Sequence, residues 1–154
     1  MAVLNGDSGN NYIVGTIGDD TLNGNGGIDT IEADLGNDTL SGGLDNDYLY
    51  GGEGNDLLNG DEGNDELYGE AGDDILNAGD GYGYYDVLKG GLGNDILNGG
   101  SYLYGDEGDD VLNATIYNSY RLEGGSGNDI LNGGNFLIGG EGEDILNGDD
   151  LSQQ

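Results

Sequence analysis

The sequence predicts an all-β protein, a parallel β-solenoid of stacked nonapeptide repeats, and three observations predict it. Leu or Ile recurs at a fixed step of nine from Leu4 through Ile13, Leu22, Ile31, Leu40, Leu49, Leu58 and Leu67 to Leu76. Glycine supplies 36 of the 154 residues, with no proline, and it gathers in the intervals between these markers. Each marker sits in a short out-in-out triplet such as Ile96-Leu97-Asn98, the alternation of a strand and not the period of a helix. A fixed short period decides the architecture before residue propensities do.

The unit is plainest in Gly51-Gly52-Glu53-Gly54-Asn55-Asp56-Leu57-Leu58-Asn59. Counting its places from one to nine, glycines stand at one, two and four, an acid at six and an inward aliphatic at eight. Glycine tolerates positive φ and close backbone approach, so the first six places read as a turn and the last three as a very short strand. Two units make one coil. Their strands add to parallel sheets on opposite sides, and the place-eight aliphatics meet between them.

After Leu76 the markers are Leu88, Leu97, Leu103, Leu112, Leu122, Leu131, Leu137 and Leu146, at steps of twelve, nine, six, nine, ten, nine, six and nine. No linker or shift in composition divides this series, so residues 1–148 are expected to form one repeat domain followed by a short tail at 149–154.

The net charge of −30 arises from 32 acids against two bases, Lys89 and Arg121. Such a balance is ordinarily a signature of disorder. The strict aliphatic spacing argues against a merely solvated acidic chain, and the two facts are reconciled by a fold that a cation completes.

Gly-Gly-x-Gly-x-Asp-x-Leu-x resembles the RTX (repeats-in-toxin) nonapeptide, and matching units cover most of residues 1–148. The resemblance implies a right-handed parallel β-roll with calcium held between loops of successive coils on one edge, by place-six Asp carboxylates and backbone carbonyls. The physical chemistry agrees, because calcium takes six to eight hard oxygen ligands and a glycine turn can aim carbonyls beside a carboxylate. Two stacked carboxylates about 5 Å apart repel by about 3 kcal/mol at an effective dielectric near 20, and a divalent ion reverses that sign. The chain is therefore expected to be unfolded or expanded without the ion.

Alternate units lie on alternate edges. On the odd edge the place-six acids are Asp20, Asp38, Asp56, Asp74, Asp95, Asp110, Asp129 and Asp144, each two residues after a place-four glycine, from Gly18 to Gly142. Eight loops offer seven sites. On the even edge Asn11, Asp29, Asp47 and Asp65 occupy place six, and Asp45 replaces a place-four glycine, so three further sites are expected there, about ten ions in all. Beyond Asp65 the even units depart from the motif. Aromatic residues enter instead: Tyr82, Tyr84, Tyr85, Tyr102, Tyr104, Tyr117, Tyr120 and Phe136 all fall in consecutive even units. Either these rings fill an edge that holds no ion, or they form a ligand patch for a polysaccharide or a protein.

On the odd sheet the outward places carry recurring Asn from Asn5 to Asn147, beside an aliphatic or Thr stripe from Thr21 to Ile145. An amide ladder of this kind supports a sheet.

The chain has no histidine and no cysteine, which removes zinc sites and the usual base for a Ser or Cys nucleophile. Paired carboxylates are accounted for as calcium ligands, so no enzyme is expected. Two bases form no track for nucleic acid, no segment is apolar enough for a membrane span, and no EF-hand loop is present. Residues 1–10 have neither a basic start nor an apolar run, so no cleaved N-terminal signal is expected. The resulting expectation is a structural calcium-binding β-roll of an exported bacterial protein, secreted by the type I route that the resemblance implies. The alternative is a carbohydrate- or protein-binding accessory module using the Tyr-rich edge.

Overall fold

In all units but the one before Leu137, strand formation starts at place seven, where a residue facing out is followed by the aliphatic marker. The computed structural model describes residues 1–79, 85–114 and 121–148. In chain order the strands are β1 (Val3–Asn5), β2 (Tyr12–Val14), β3 (Thr21–Gly26), β4 (Thr30–Glu32), β5 (Thr39–Leu44), β6 (Tyr48–Glu53), β7 (Leu57–Glu62), β8 (Glu66–Ala71), β9 (Ile75–Asn77), β10 (Val87–Leu92), β11 (Ile96–Asn98), β12 (Tyr102–Glu107), β13 (Val111–Asn113), β14 (Arg121–Ser126), β15 (Ile130–Asn132), β16 (Leu137–Glu141) and β17 (Ile145–Asn147). The odd-numbered strands form one nine-stranded sheet and the even-numbered strands one eight-stranded sheet. Every pairing is parallel and the described residues contain no helix, so the fold is the expected β-solenoid.

The register is place on place. Leu40 pairs with Leu58, Leu58 with Leu76, and Leu76 with Leu97 along the odd sheet. On the even sheet Leu67, Leu88, Leu103, Leu122 and Leu137 pair in succession although the steps between units change there. Insertions and deletions are absorbed in the loops, because a slip of one residue would turn every side chain of a strand to the wrong face. From Leu22 to Leu131 the markers are completely buried, and together they form a single file of aliphatic contacts between the sheets. Leu4 and Leu137 are partly buried against that file, whereas Leu146 is 49% exposed.

Many strands are longer than the predicted triplet. In β7, for example, pairing continues through Gly60 to Glu62, so the chain stays in the sheet to place three of the following unit. The corner comes at place two, where φ is positive: +105° at Gly52, +72° at Asp61 and +75° at Glu70. Asp and Asn tolerate this region better than most residues with a Cβ. Asp45, which stands at place four in its loop, also adopts a positive φ, of +75°.

The outer row of the odd sheet is a hydrogen-bonded amide ladder. Asn23 Nδ2 donates to Asn5 Oδ1, and from Asn77 to Asn147 each Nδ2 donates to the Oδ1 of the preceding coil at 2.8–3.0 Å. Ser41 interrupts the row, and there Asn59 Nδ2 reaches the carbonyl of Leu40.

This architecture predicts a position-dependent cost of truncation. Leu67→Ala should destabilise the folded chain by about 2–5 kcal/mol, the usual penalty for emptying a sealed aliphatic site, and Leu146→Ala by about 1 kcal/mol or less. Denaturant midpoints of the two variants measure this, and equal losses would contradict the burial pattern.

Candidate metal centre

The place-six side chains point into the roll at its two edges. Asp20, Asp29, Asp38, Asp47, Asp56, Asp65, Asp74, Asp95, Asp110 and Asp129 are all buried despite being carboxylates, and Asp144 is half-buried. Each uses one oxygen in the same way. On the odd edge the backbone N–H of Asp38 donates to Asp56 Oδ1, and the pattern repeats from Asp56 to Asp74, Asp95, Asp110, Asp129 and Asp144 at 2.7–3.0 Å. On the even edge Asn11 donates to Asp29, Asp29 to Asp47, and Asp47 to Asp65. Each loop of these two columns is therefore tied to the next coil through one carboxylate oxygen.

The second oxygen is bare. Oδ2 of Asp29, Asp38, Asp47, Asp56, Asp65, Asp74, Asp95, Asp110 and Asp129 is buried without a hydrogen-bond partner. An unpaired buried carboxylate oxygen is costly, and here the omission recurs in coil after coil. Burial, reinforced by neighbouring carboxylates, pushes the Asp47, Asp65, Asp95 and Asp110 carboxyls up to about 7 and those of Asp56 and Asp74 up to about 6, although the amide from the preceding coil opposes this. Asp29, Asp38 and Asp129 are raised by burial as well. Asp20 differs. Burial acts to raise it, but the hydroxyl and N–H of Thr16 and the N–H of Ala2 all donate to its carboxylate and hold it below the ordinary range.

The loops bring carbonyl oxygens to the same gaps. A Cβ placed on Gly54 at place four would lie 1.7 Å from the carbonyl oxygen of Gly36 in the preceding coil, and one on Gly52 at place two would lie 2.1 Å from that of Asp34. Carbonyls at these places thus aim along the roll axis at the next loop, which only a residue without a side chain lets approach so closely. No group of three or more acidic side chains converges among the described residues. Bare carboxylate oxygens beside loop carbonyls offer oxygen donors alone, which suits calcium better than the softer metals that need nitrogen or sulfur.

Sequence reasoning missed a member of the even column. Asp86 is buried, is raised by burial, and accepts the N–H of Asp65 at 3.0 Å, as its counterparts do. The expected lapse after Asp65 is therefore one coil too early. The signal was present, since Asp86 stands two residues before Leu88, but the three-residue insertion had displaced the loop count. In the next even unit the same place is taken by Ser101, which is also buried, and its N–H donates to the carbonyl of Asp86. Asn11, at the other end of the column, turns its Oδ1 to the N–H of Asp7.

A second ladder lies beside the first, at place five. On the odd edge Asp19, Asn37, Asn55, Asp73, Asn94, Asp109 and Asn128 each accept, through Oδ1, the place-five N–H of the following coil at 2.7–3.0 Å. Its bonds run in the opposite sense to those at place six, so each loop is held from both neighbours. An Asn or Asp at place five of every odd unit from Asp19 to Asn128 was the sequence signal.

The aromatic residues are placed differently from expectation. Tyr82, Tyr84, Tyr117 and Tyr120 lie outside the described residues. Tyr85 and Phe136 are exposed, and the Arg121 guanidinium sits 5.8 Å from the Phe136 ring. Tyr102 and Tyr104 instead lie on the outer face of the even sheet, in register with Val87 and Lys89. There Tyr50 and Tyr68, from regular units, stack with centroids 4.9 Å apart, and the Lys89 ammonium lies 5.1 Å from the Tyr68 ring and 6.0 Å from the Tyr104 ring. Arg121 pairs with Glu123 at 2.6 Å. Both bases are thus engaged within the sheet itself.

Among known proteins, the family model of the RTX calcium-binding nonapeptide repeat matches residues 3–31, 23–58, 50–85, 81–101, 102–118 and 123–150. No curated protein and no solved structure matches the chain.

The raised carboxyls set a pH dependence for the chain without divalent ions. A folded-state pKa above the ordinary value of about 4 means that the folded chain holds protons more tightly, so the contribution is full below about pH 4 and is lost as the pH rises through about 6 to 7. In chelator, sheet content by circular dichroism should rise on acidification across that window. A signal that falls on acidification would contradict the assigned column.

Proposed function

The chain belongs to the RTX calcium-binding nonapeptide repeat family, and from that premise we propose that it is a structural calcium-binding β-roll of an exported protein, folding when the ion binds. The observation that carries the proposal is the run of nine buried place-six carboxylates, from Asp29 to Asp129, each with one oxygen left bare. RTX repeats are typical of secreted proteins, and a chain of charge −30 that needs calcium to close would remain open where calcium is scarce and fold where it is plentiful.

The holding residues are Asp20, Asp38, Asp56, Asp74, Asp95, Asp110, Asp129 and Asp144 on the odd edge and Asp29, Asp47, Asp65 and Asp86 on the even edge, with loop carbonyls completing each set. Bound calcium supplies positive charge to the gap between two loops. The chain's own part is to bury the carboxylates, fix one oxygen of each by the preceding amide, and bring glycine carbonyls to the other. With Asp86 included, the seven odd gaps and four even gaps give about eleven ions.

The accessory-module reading depends on ring faces that a sugar or partner could cover. In the described sheet Tyr50 and Tyr68 cover each other and Lys89 covers Tyr68 and Tyr104, which favours the structural role for this column. That reading keeps the exposed Tyr85 and Phe136 and the four tyrosines outside the described residues.

Calcium titration followed by circular dichroism and calorimetry tests the proposal. Sheet signal should appear cooperatively, with about eleven ions bound, and Asp86→Ala should remove about one ion while the odd edge still fills. A spectrum unchanged between chelator and millimolar calcium would refute folding on ion binding. An unaltered stoichiometry in Asp86→Ala would remove Asp86 from the set.

A further inference from the structure

The chain contains seven Asn-Gly dipeptides, and six of them fall at one structural position. Asn5-Gly6, Asn23-Gly24, Asn59-Gly60, Asn98-Gly99, Asn132-Gly133 and Asn147-Gly148 all join place nine of an odd unit to place one of the next. The seventh, Asn25-Gly26, lies in β3. Asn-Gly is the dipeptide most prone to spontaneous deamidation, because glycine has no side chain to hinder the attack of its own backbone nitrogen on the preceding Asn. The glycine nitrogen attacks the Asn Cγ, a C–N bond forms, ammonia leaves, and water opens the resulting succinimide to aspartate or isoaspartate.

The roll restrains both reacting groups at most of these places. The leaving Nδ2 of Asn23, Asn98 and Asn132 is held as a donor to the Oδ1 of the preceding odd coil, and that of Asn59 to the carbonyl of Leu40. The attacking nitrogen is held as well. Gly6 N–H donates to the carbonyl of Asn23, Gly99 to Asn113 and Gly133 to Asn147, at 2.7–2.8 Å. Gly24 and Gly60 lie inside β3 and β7. At the seventh dipeptide Gly26 closes β3 and Asn25 Nδ2 donates to the carbonyl of Gly6.

Asn147 differs at the attacking nitrogen alone, since its Nδ2 donates to Asn132 Oδ1 as in the other coils, and the polarity of the parallel ladder explains the difference. Each place-one N–H points to a carbonyl of the following coil, and among the described residues β17 is the last strand of its sheet. Among the described residues no backbone carbonyl accepts from Gly148, and both Asn147 and Gly148 are exposed.

We infer that the place-nine Asn-Gly bonds are modification sites controlled by the fold: deamidation is suppressed in the roll at Asn5, Asn23, Asn59, Asn98 and Asn132, proceeds at Asn147, and spreads to all of them when the roll opens. The product matters to the structure. Aspartate cannot donate to the neighbouring Oδ1, and isoaspartate adds a methylene to the backbone of a strand whose register is place on place. A chain held open thus loses, site by site, the ladder on which refolding depends.

The inference rests on the proposed calcium-dependent fold only for the agent that opens the roll, so the experiment uses two agents. The full chain is incubated in mildly alkaline buffer with calcium, with chelator, or in urea, with circular dichroism recorded on every sample and deamidation mapped by peptide mass spectrometry. In any sample that retains sheet, Asn98 and Asn132 should deamidate about tenfold or more slowly than Asn147, since exchange of a protected site requires opening. In urea all three should react at similar rates, and Gly148→Ala should slow Asn147 alone. Similar rates at Asn98 and Asn147 in a folded sample, or continued protection of Asn98 in urea, would overturn the inference. A chelated chain that keeps both its sheet and its protection would count against calcium-dependent folding while supporting fold-controlled deamidation.

Discussion

The structure depends on a carboxylate that is only half used. From Asp29 to Asp129 the place-six Asp of the regular units satisfies one oxygen with the amide of the preceding loop and leaves the other buried and bare. The first half of that arrangement fixes the distance between coils. The second half creates a demand for positive charge at that distance, where side chains with a proton to give are absent and carbonyl dipoles already converge. Hydrophobic contacts cannot take over this role, because the core is one aliphatic residue per unit and extends along the axis without widening. The axial spacing, the glycine content and the charge of −30 are therefore one problem with one solution, and a hard divalent cation is the ligand that meets all three.

Much of this was legible in the sequence, and the reasons are specific. The markers from Leu4 to Leu146 gave strand positions and register because a period of nine, doubled, is the coil itself, and the paired strands keep marker on marker. The acids two places earlier gave the carboxylate column for the same reason. What escaped were features that a count of places blurs. Asp86 was hidden by an insertion that the loop absorbs before the strand begins. The longer strands were hidden because pairing continues through glycines that read as turn, and the corner comes only at a positive φ such as that of Glu70. The place-five ladder was hidden by mixed chemistry, since Asn and Asp serve equally as acceptors of a backbone N–H while differing in charge.

The aromatic residues show a different limit. A cluster in sequence suggested one patch on an edge, whereas the register carries place-nine residues of the even units onto the outside of the sheet. Tyr50, Tyr68, Lys89 and Tyr104 follow one another there at the spacing of neighbouring strands. At that spacing rings can stack and an ammonium can sit between two of them, so contacts form within the chain before any ligand is considered. Sequence proximity and strand register thus assign the same tyrosines to different neighbours, and register decides.

The ladders also explain why such a chain should respond to its ion as a unit. A solenoid coil touches only its neighbours, so stability is a sum of coil terms and nearest-neighbour terms. On the proposed reading the neighbour term contains the ion, because each gap is lined by one loop above and one below. Filling a gap would then remove repulsion between the facing carboxylates, order both loops, and through the opposed bonds at places five and six position the next gap on each side. An ordered gap therefore lowers the entropic cost of ordering its neighbours. Cooperativity needs no long-range signal in this arrangement. It follows from sharing every loop between two gaps, and it should be strongest on the odd edge, where the shared loops run without interruption from Asp20 to Asp144.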